Sequence, residues 1–420
     1  VSSLPLIGVH RAVAPLLETR PPTWQAIRFK SLLDRRERRN DDLTYEMLSL
    51  RSTGDIVARS EMGGRQEPDD ASRPKYLIAE VDDLVVNPMW LIGGGIGVTQ
   101  RAGAVSPDYR VFRPRGDLLP RFAHYLLRSQ AYLDQYMLYT RAQTTFDRRV
   151  QQPDLNNLPI LVPPLGEQLA IAGYLDRETA RIDTLIDEQQ QLIKLLRERR
   201  FAVVTNALSW PSLSAVRGDK LGRSARIGNG STPRRDNLTY WEGGHTPWLN
   251  SAVVNQQRVT DSDQFVTDTA MKECHLPIVT PGSVLIGLTG QGKTRGTATI
   301  LDIEATVNQH VAYVTPDRNV WCPEYLLWSI RASYSDLRRI SEENGSTKGG
   351  LTCEALKQFR VLAPPLVDQR RIATYLDDQT AKIASLINEA ERFIELSRER
   401  RAALITAAVT GQIDVREAAR

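Results

Sequence analysis

Residues 163–208, PPLGEQLAIAGYLDRETARIDTLIDEQQQLIKLLRERRFAVVTNAL, recur at residues 364–409 as PPLVDQRRIATYLDDQTAKIASLINEAERFIELSRERRAALITAAV, ungapped and about half identical. A fixed period is the sequence mark of a repeated architecture. Here the period is 364 − 163 = 201 residues, too long for a solenoid unit and suited to a whole domain plus a helix. The 420-residue chain therefore reads as two similar halves in tandem.

Each copy reads as one long helix. Leu175, Ile182, Leu196 and Val203 are spaced in sevens or multiples of seven, as are Leu185 and Leu192, while charged and amide residues fill the other faces. The second copy keeps the seam with Leu376, Ile383 and Leu404, and with Leu386 and Phe393. Pro163-Pro164 and Pro364-Pro365 disfavour helix upstream, and Glu167 or Asp368 then sits in the first turn, where the helix dipole favours an anion. Gly411 suits a left-handed cap at the end of the second helix. About 42 helical residues at about 1.5 Å each make a rod of roughly 60 Å. A rod with one narrow apolar seam is unstable alone, and because both copies lie in one chain they are expected to pair with each other. A homodimerising coil is the alternative. Gln189, Ala390 and Ser397 interrupt the seam, which suggests register control or a surface left for another subunit.

Ahead of each helix lies a segment of about 155 residues with strand-and-turn punctuation. In the first, Tyr76-Leu77-Ile78, Leu84-Val85-Val86 and Tyr109-Arg110-Val111-Phe112 read as strands; in the second, Val284-Leu285-Ile286, Thr297-Ala298-Thr299-Ile300 and Val311-Ala312-Tyr313-Val314 do. Each continues with a helix-like stretch, Tyr125-Leu126-Leu127 or Tyr325-Leu326-Leu327, and leaves through an apolar run, Ile160-Leu161-Val162 or Val361-Leu362. The frame is shared and the loops differ, as two readers of different targets should, because sequence is read by variable side chains on a common scaffold.

The pattern Pro-Pro-Leu-x-Glu/Asp-Gln, Ile-Ala-x-Tyr-Leu-Asp, Ile-x-x-Leu-Ile and Arg-x-Arg-Arg, present twice about two hundred residues apart, resembles the specificity subunits of type I restriction-modification systems. The resemblance extends over nearly the whole chain, since both intervening segments look like that family's target recognition domains. It implies an α+β architecture: domain one at 1–162, a spacer helix at 163–209, domain two at 210–363 and a second spacer at 364–420, with the helices antiparallel and pseudo-twofold. It also implies that the chain does no chemistry and carries no cofactor. Its partners would be double-stranded DNA, two methyltransferase subunits that use S-adenosylmethionine, and restriction-translocase subunits where a system has them.

Composition agrees. With 41% apolar residues the chain can build real cores, and a net charge of +4 with pI near 8.9 is compatible with nucleic acid. Cys274, Cys322 and Cys353 show no metal or disulfide spacing, which fits a reducing cytosol. Without an apolar run of membrane-spanning length or a leader-like start, a soluble, cytoplasmic protein is expected, and Val1 suggests a trimmed initiator Met.

Two motifs imitate catalytic ones. Residues 287–294, GLTGQGKT, satisfy the P-loop pattern after a plausible strand, and a nucleotide site would need a helix next. The adjoining stretch, Arg295-Gly296-Thr297-Ala298-Thr299-Ile300, is β-branched and Gly-broken, so a loop that offers amides and cations to DNA is favoured over an ATPase. Asn87-Pro88-Met89-Trp90, followed by Gly93-Gly94-Gly95-Ile96-Gly97, is similar to the tetrapeptide of amino-methyltransferases, but the order of cofactor loop and tetrapeptide is reversed. The expected reading is a turn region. An ATPase, a methyltransferase and a coiled-coil scaffold without base readout are the competing functions.

Candidate DNA contacts follow from chemistry. Domain one offers Lys75, Arg101, Ser106, Tyr109, Arg148 and Arg149; domain two offers Ser231, Thr232, Arg234, Arg235, Gln291, Lys293, Thr294, Arg295 and Lys348 for phosphates and edges, with Asn308 and Gln309 as amides suited to adenine. His310 adjoins them, and Trp241 and Trp248 are expected in a core. Arg35-Arg36-Glu37-Arg38-Arg39 reads as a basic patch or a solvated helix face. Arg197, Arg199 and Arg200 recur as Arg398, Arg400 and Arg401, and a duplicated position favours a duplicated task, docking one methyltransferase subunit on each half.

Overall fold

The computed structural model describes residues 10–63, 69, 71–140, 148–209, 218–290, 294–343 and 350–418. It divides into two compact units, the first made of residues 1–190 and 391–420, the second of residues 191–390. Each unit thus takes one recognition segment, the half-helix that follows it, and the far half of the other long helix.

In the first unit a four-stranded antiparallel sheet has the order Leu33–Arg36, Arg110–Pro114, Leu84–Val86, Ile96–Val98. In the second the order is Ala225–Asn229, Val311–Pro316, Val284–Gly287, Ala298–Leu301, with Arg258–Val259 added in parallel at the edge. The first four strands occupy equivalent places, so the duplication extends from the helices to the domains. Fully buried runs such as Leu84-Val85-Val86 and Val284-Leu285-Ile286 read as central strands because β-branched and aliphatic side chains pack on both faces. A strand pair closes the base of each domain: Gln25–Arg28 with Pro159–Val162, and Gly218–Lys220 with Arg360–Leu362. The arginine run at 35–39 is not a helix. Leu33–Arg36 is an edge strand with Leu33 buried and its two arginines exposed, and charge on an edge discourages pairing with foreign strands.

The domain helices α1 (Pro120–Leu127) and α3 (Pro323–Ala332) each start on a proline at the first turn. They flank the long helices α2 (Leu165–Leu208) and α4 (Leu366–Val409). Along α2 the positions that face the partner helix, all buried or partly buried, include Leu175, Thr179, Ile182, Ile186 and Gln189 in the first unit and Ile193, Leu196, Val203 and Ala207 in the second. Along α4 they are Leu376, Thr380, Ile383, Ile387 and Ala390 in the second unit and Ile394, Ser397, Arg401, Leu404 and Ala408 in the first. The alternating steps of four and three, broken in α2 only by one step of seven past the exposed Arg200, are the heptad seam of a helix pair. In the first unit Arg401 Nε lies 2.9 Å from Asp183 Oδ1, and Ile171 and Leu175 share a core with Ala408 and Val409. In the second, Val203 and Ala207 share one with Ile372 and Leu376. The early half of each helix meets the late half of the other, so the pair is antiparallel and intramolecular.

One row of the expected seam holds: Leu175, Ile182, Leu196, Val203, and in the second copy Leu376, Ile383, Leu404. The other does not. Leu185, Leu192, Leu386 and Phe393 are exposed, and their places are taken by Ile186, Ile193, Ile387 and Ile394 one residue on. Both flanks of the first row are apolar, so spacing alone could not tell which flank the partner helix covers.

The repeated Gln of the Pro-Pro-Leu motif joins helix to domain. Gln168 is fully buried; its Oε1 accepts from Leu119 N at 2.8 Å, and its Nε2 donates to Asp117 O at 2.7 Å and Pro163 O at 2.8 Å. Gln369 repeats the set with Cys322 N at 2.8 Å and Val320 O and Pro364 O at 2.7 Å. About two turns further on, Asp176 accepts from Tyr125 Oη at 2.6 Å, and Asp377 accepts from Trp328 Nε1 at 2.8 Å. The equivalence of Tyr125 and Trp328 corrects the expected match of Tyr125-Leu126-Leu127 with Tyr325-Leu326-Leu327, which is slipped by three residues, nearly one helical turn. In the same register Arg128 donates to Ile96 O at 3.0 Å, and Arg331 Nε donates to Ala298 O at 3.0 Å, so each guanidinium ties its helix to the start of the equivalent strand.

Candidate nucleic-acid interface

In the second unit three loops converge at one end of the five-stranded sheet. The chain leaving Ala225–Asn229 passes directly over Val307, where a Cβ on Gly230 would lie 1.7 Å from the Val307 carbonyl oxygen. Only glycine permits that approach. It brings Asn229 and Thr232 against the turn at 308–310: Thr232 Oγ1 donates to Gln309 Oε1 at 2.7 Å, and Asn229 Nδ2 donates to Gln309 O at 3.1 Å. His310 Nδ1 lies 3.0 Å from Thr289 Oγ1 in the third loop, and its Nε2 lies 3.3 Å from Gln309 Nε2. Asn229, Thr232, Gln309 and Thr289 are exposed and His310 partly so, forming a hydrogen-bonding surface of the kind that reads base edges.

The other candidates of this unit divide. Asn308 is buried; its Oδ1 accepts from His310 N at 2.9 Å, so it shapes the turn rather than facing a ligand. Ser231 donates to Cys274 O at 3.3 Å. Arg234 is forked on Asp236 at 3.2 and 2.8 Å, exposed. The Arg235 guanidinium stacks on Trp241 and Trp248 at 4.0 and 4.8 Å from their centroids, and Trp248 is core as expected. Arg295 is not a loop cation: it is buried, with Nη2 3.3 Å from Glu342 Oε1, because the chain turns inward before the next strand. Thr294 is partly buried in that turn. Gln291, Lys293 and Lys348 lie outside the described residues.

The P-loop pattern falls in a β-hairpin. Val284–Gly287 pairs antiparallel with Ala298–Leu301, Gly287 N donates to Thr297 O at 3.0 Å, and Gly296 N donates to Gly287 O at 2.8 Å. A strand stands where a phosphate-binding helix would have to begin, which removes the geometric basis of the ATPase reading.

In the first unit a cleft of about 1000 Å³ is lined by Arg51, Asn87, Met89, Trp90, Ser106, Tyr109, Arg148 and Arg149, with Asp108 as its carboxylate. Four of the six candidates of this domain are therefore brought together. Arg101 stands apart, paired with Glu61 at 3.3 Å, and Lys75 is exposed at the end of a single 3-10 turn outside the cleft. The tetrapeptide forms a wall of the cleft: Asn87 Oδ1 accepts from Met89 N at 3.1 Å, and Val150 N donates to Pro88 O at 3.0 Å, which seats Arg148 and Arg149 beside it. Asn87 is thus engaged in a turn, as expected, and no helix follows Gly97, which lies within the strand Ile96–Val98. Burial, with Arg35 and Arg149 nearby, lowers the pKa of Arg110, whose guanidinium donates to Val150 O at 3.2 Å.

The six repeated arginines also separate. Arg401 occupies a seam position and pairs with Asp183; Arg398 and Arg401 line a cleft of about 600 Å³ in the first unit, and Arg200 one of about 690 Å³ in the second with Arg258, Arg331 and Asp377. Arg197, Arg199 and Arg400 are exposed. The sequence reading assigned Leu185, Leu192, Leu386 and Phe393 to the buried seam; with Leu195 and Leu396, which it did not name, they instead form an exposed apolar row, Leu185, Phe393 and Leu396 on the first unit and Leu192, Leu195 and Leu386 on the second. Each leucine or phenylalanine of one helix has its counterpart 201 residues away on the other.

Among the described residues no helix is long and apolar enough to cross a membrane, and no cluster of three or more His, Cys, Asp or Glu could hold a metal ion.

Two sheet-bearing units of one plan, each with its own antiparallel pairing of the repeated helices and its own polar loops, define a duplicated recognition chain. Residues 220–395 match the family described as type I restriction modification DNA specificity domain. The chain is 24% identical over 237 residues to the type I restriction enzyme EcoR124I/EcoR124II specificity subunit of Escherichia coli, a match spanning 56% of this chain and 57% of that one. It is 31% identical over 167 residues to the type I restriction enzyme MjaIX specificity subunit of Methanocaldococcus jannaschii, spanning 38% and 37%. The matches therefore cover about half or less of these relatives. In fold it superposes on the HsdS subunit from Thermoanaerobacter tengcongensis with a TM-score of 0.61 and 20% identity, covering 94% of this chain and 98% of that one. A chain from a type I R-M system, solved to explain complex assembly and conformational transition, superposes with a TM-score of 0.67 and 18% identity over 94% and 100%. Residues 220–395 thus carry the family's DNA specificity domain, and the chain as a whole is similar in sequence and fold to type I restriction enzyme specificity subunits.

Proposed function

We propose that this chain is the DNA-reading subunit of a type I restriction-modification complex, each unit reading one half of a bipartite duplex target. The observation that carries the reading is the contrast within the duplication. Sheet order and helix anchors are the same in both units, while the polar surfaces differ, an amide and hydroxyl network in one and an arginine-lined cleft in the other. A shared scaffold with divergent loops is what two different half-sites require. The chain contributes no catalytic residue. Methylation belongs to partner subunits that use S-adenosylmethionine, and restriction to further subunits where present, all in the cytoplasm.

Two methyltransferase subunits dock on the exposed apolar rows, one per unit, with Arg199 and Arg400 at their borders. In heptad terms Leu185, Leu192, Leu386 and Phe393 flank the seam on one side, and a second seam is how a helix pair accepts further helices. Co-purification tests this: Leu192→Asp with Leu386→Asp is expected to release methyltransferase from the complex and leave the melting temperature of the free chain unchanged. Retention of both methyltransferase subunits would exclude these rows as the dock.

A further inference from the structure

We propose that Trp90 is a specificity-determining contact of the first unit, its indole packing on the face of a base unstacked at one step of the first half-site. This rests on the reading of that unit as a DNA reader and names one residue of its surface.

The geometry begins with the glycine run that follows the tetrapeptide. A Cβ on Gly93 would lie 2.5 Å from the Trp90 indole, and one on Gly95 would lie 2.8 Å from the Trp90 carbonyl oxygen. Trp90 O accepts from Gly93 N at 3.0 Å and from Gly95 N at 2.9 Å, while Trp90 N donates to Asn87 O at 3.1 Å. The glycines let the indole lie close against the chain and fix its backbone from both sides. Gly94 completes the turn at φ +79°, a conformation that favours glycine. On its other side the ring is open: Trp90 and its neighbour Met89 are each 49% exposed and line the same cleft as Arg51, Arg148 and Arg149.

A half-exposed Trp is ordinary when it sits alone on a surface. This one is held rigid by three backbone hydrogen bonds, its apolar neighbour Met89 is equally bare, and the cleft around it is lined by three arginines against one carboxylate, Asp108. Rigid aromatic faces in cationic grooves are how proteins hold unstacked bases, and apolar wedges are how they open a base step. The guanidinium groups supply phosphate attraction, which depends on salt; the indole supplies a contact that does not.

The test measures binding of the full chain, complexed with its methyltransferase subunits, to a duplex carrying its methylated motif and to one with the first half-site scrambled, across a salt series. Trp90→Ala is expected to lose about tenfold or more in affinity for the motif, with the slope of log K against log salt unchanged. Trp90→Phe is expected to retain most of the binding, and Arg149→Ala to lower the slope by about one unit. Trp90→Ala that keeps both the affinity and the discrimination of the unaltered complex, or that loses affinity together with slope, overturns the assignment of Trp90 alone. An unaltered complex that fails to distinguish the two duplexes overturns the reading beneath it and the assignment with it.

Discussion

Replacing Gln168 by Leu removes the link between the first long helix and its recognition domain at a defined cost. The side chain is fully buried and satisfies three backbone groups, Leu119 N, Asp117 O and Pro163 O, at 2.7–2.8 Å. Leucine fills similar space and bonds to none of them. An orphaned buried polar group costs about 1–3 kcal/mol, so three amount to roughly 3–9 kcal/mol, partly offset by the added apolar surface. A net loss of about 4 kcal/mol raises the local opening equilibrium about a thousandfold. Amide hydrogen exchange reads this directly. Leu119 should exchange about a thousand times faster in Gln168→Leu, while Cys322, whose amide is held by Gln369 in the second unit, stays protected. Gln369→Leu should produce the mirror result. Unchanged protection at Leu119, or equal loosening of both amides by either substitution, would refute the idea that each glutamine fastens its own unit.

His124 is buried where the equivalent position of the second unit carries Leu327, and burial, then Arg128 and Arg121, hold its pKa down to about 3 against an ordinary 6.5. The folded state keeps it neutral and the unfolded state protonates it, so its stabilisation is full above pH 6.5 and is lost as pH falls toward 3. By pH 5 the loss is about 2 kcal/mol, and His124→Leu should flatten the urea stability of the first unit across that window; an unchanged pH slope would contradict this. Ile186→Ala should cost about 2–4 kcal/mol as a buried seam residue, whereas Leu185→Ala should stay within about 0.5 kcal/mol in the isolated chain. Equal costs in chemical denaturation would mean that the helix pair closes on the other flank.

The helices, their pairing and three strands in each domain were legible because they depend on period, on turn residues and on the repeat itself, whereas the order of strands in the sheets was not read. The flank of the seam was not, since Leu185 and Ile186 are both apolar and only the partner's position separates them. Letter identity also misled at Tyr125 and Tyr325, where the true counterpart of Tyr125 is Trp328, a different side chain that makes the same bond to the same repeated aspartate. The site was half legible. Ser106, Tyr109, Arg148, Arg149, Thr232 and Gln309 do gather at two surfaces, but Asn308, Arg235 and Arg295 are taken up by a turn, an aromatic stack and an ion pair of the buried guanidinium with Glu342. Residue type shows what a side chain can bond, whereas direction and burial come from loop geometry. Asn229 and Trp90 carried one signal, a neighbouring glycine that admits a close approach.

The central claim is that two units read two half-sites independently, and mapping methylated adenines across a genome tests it most directly. Cells carrying this chain and its methyltransferase partner should show one gapped, two-part motif that is absent without the chain. Exchanging residues 210–363 for the matching domain of another specificity subunit should change one part and leave the other intact. A continuous motif, or a domain exchange that alters both parts or neither, would contradict the account.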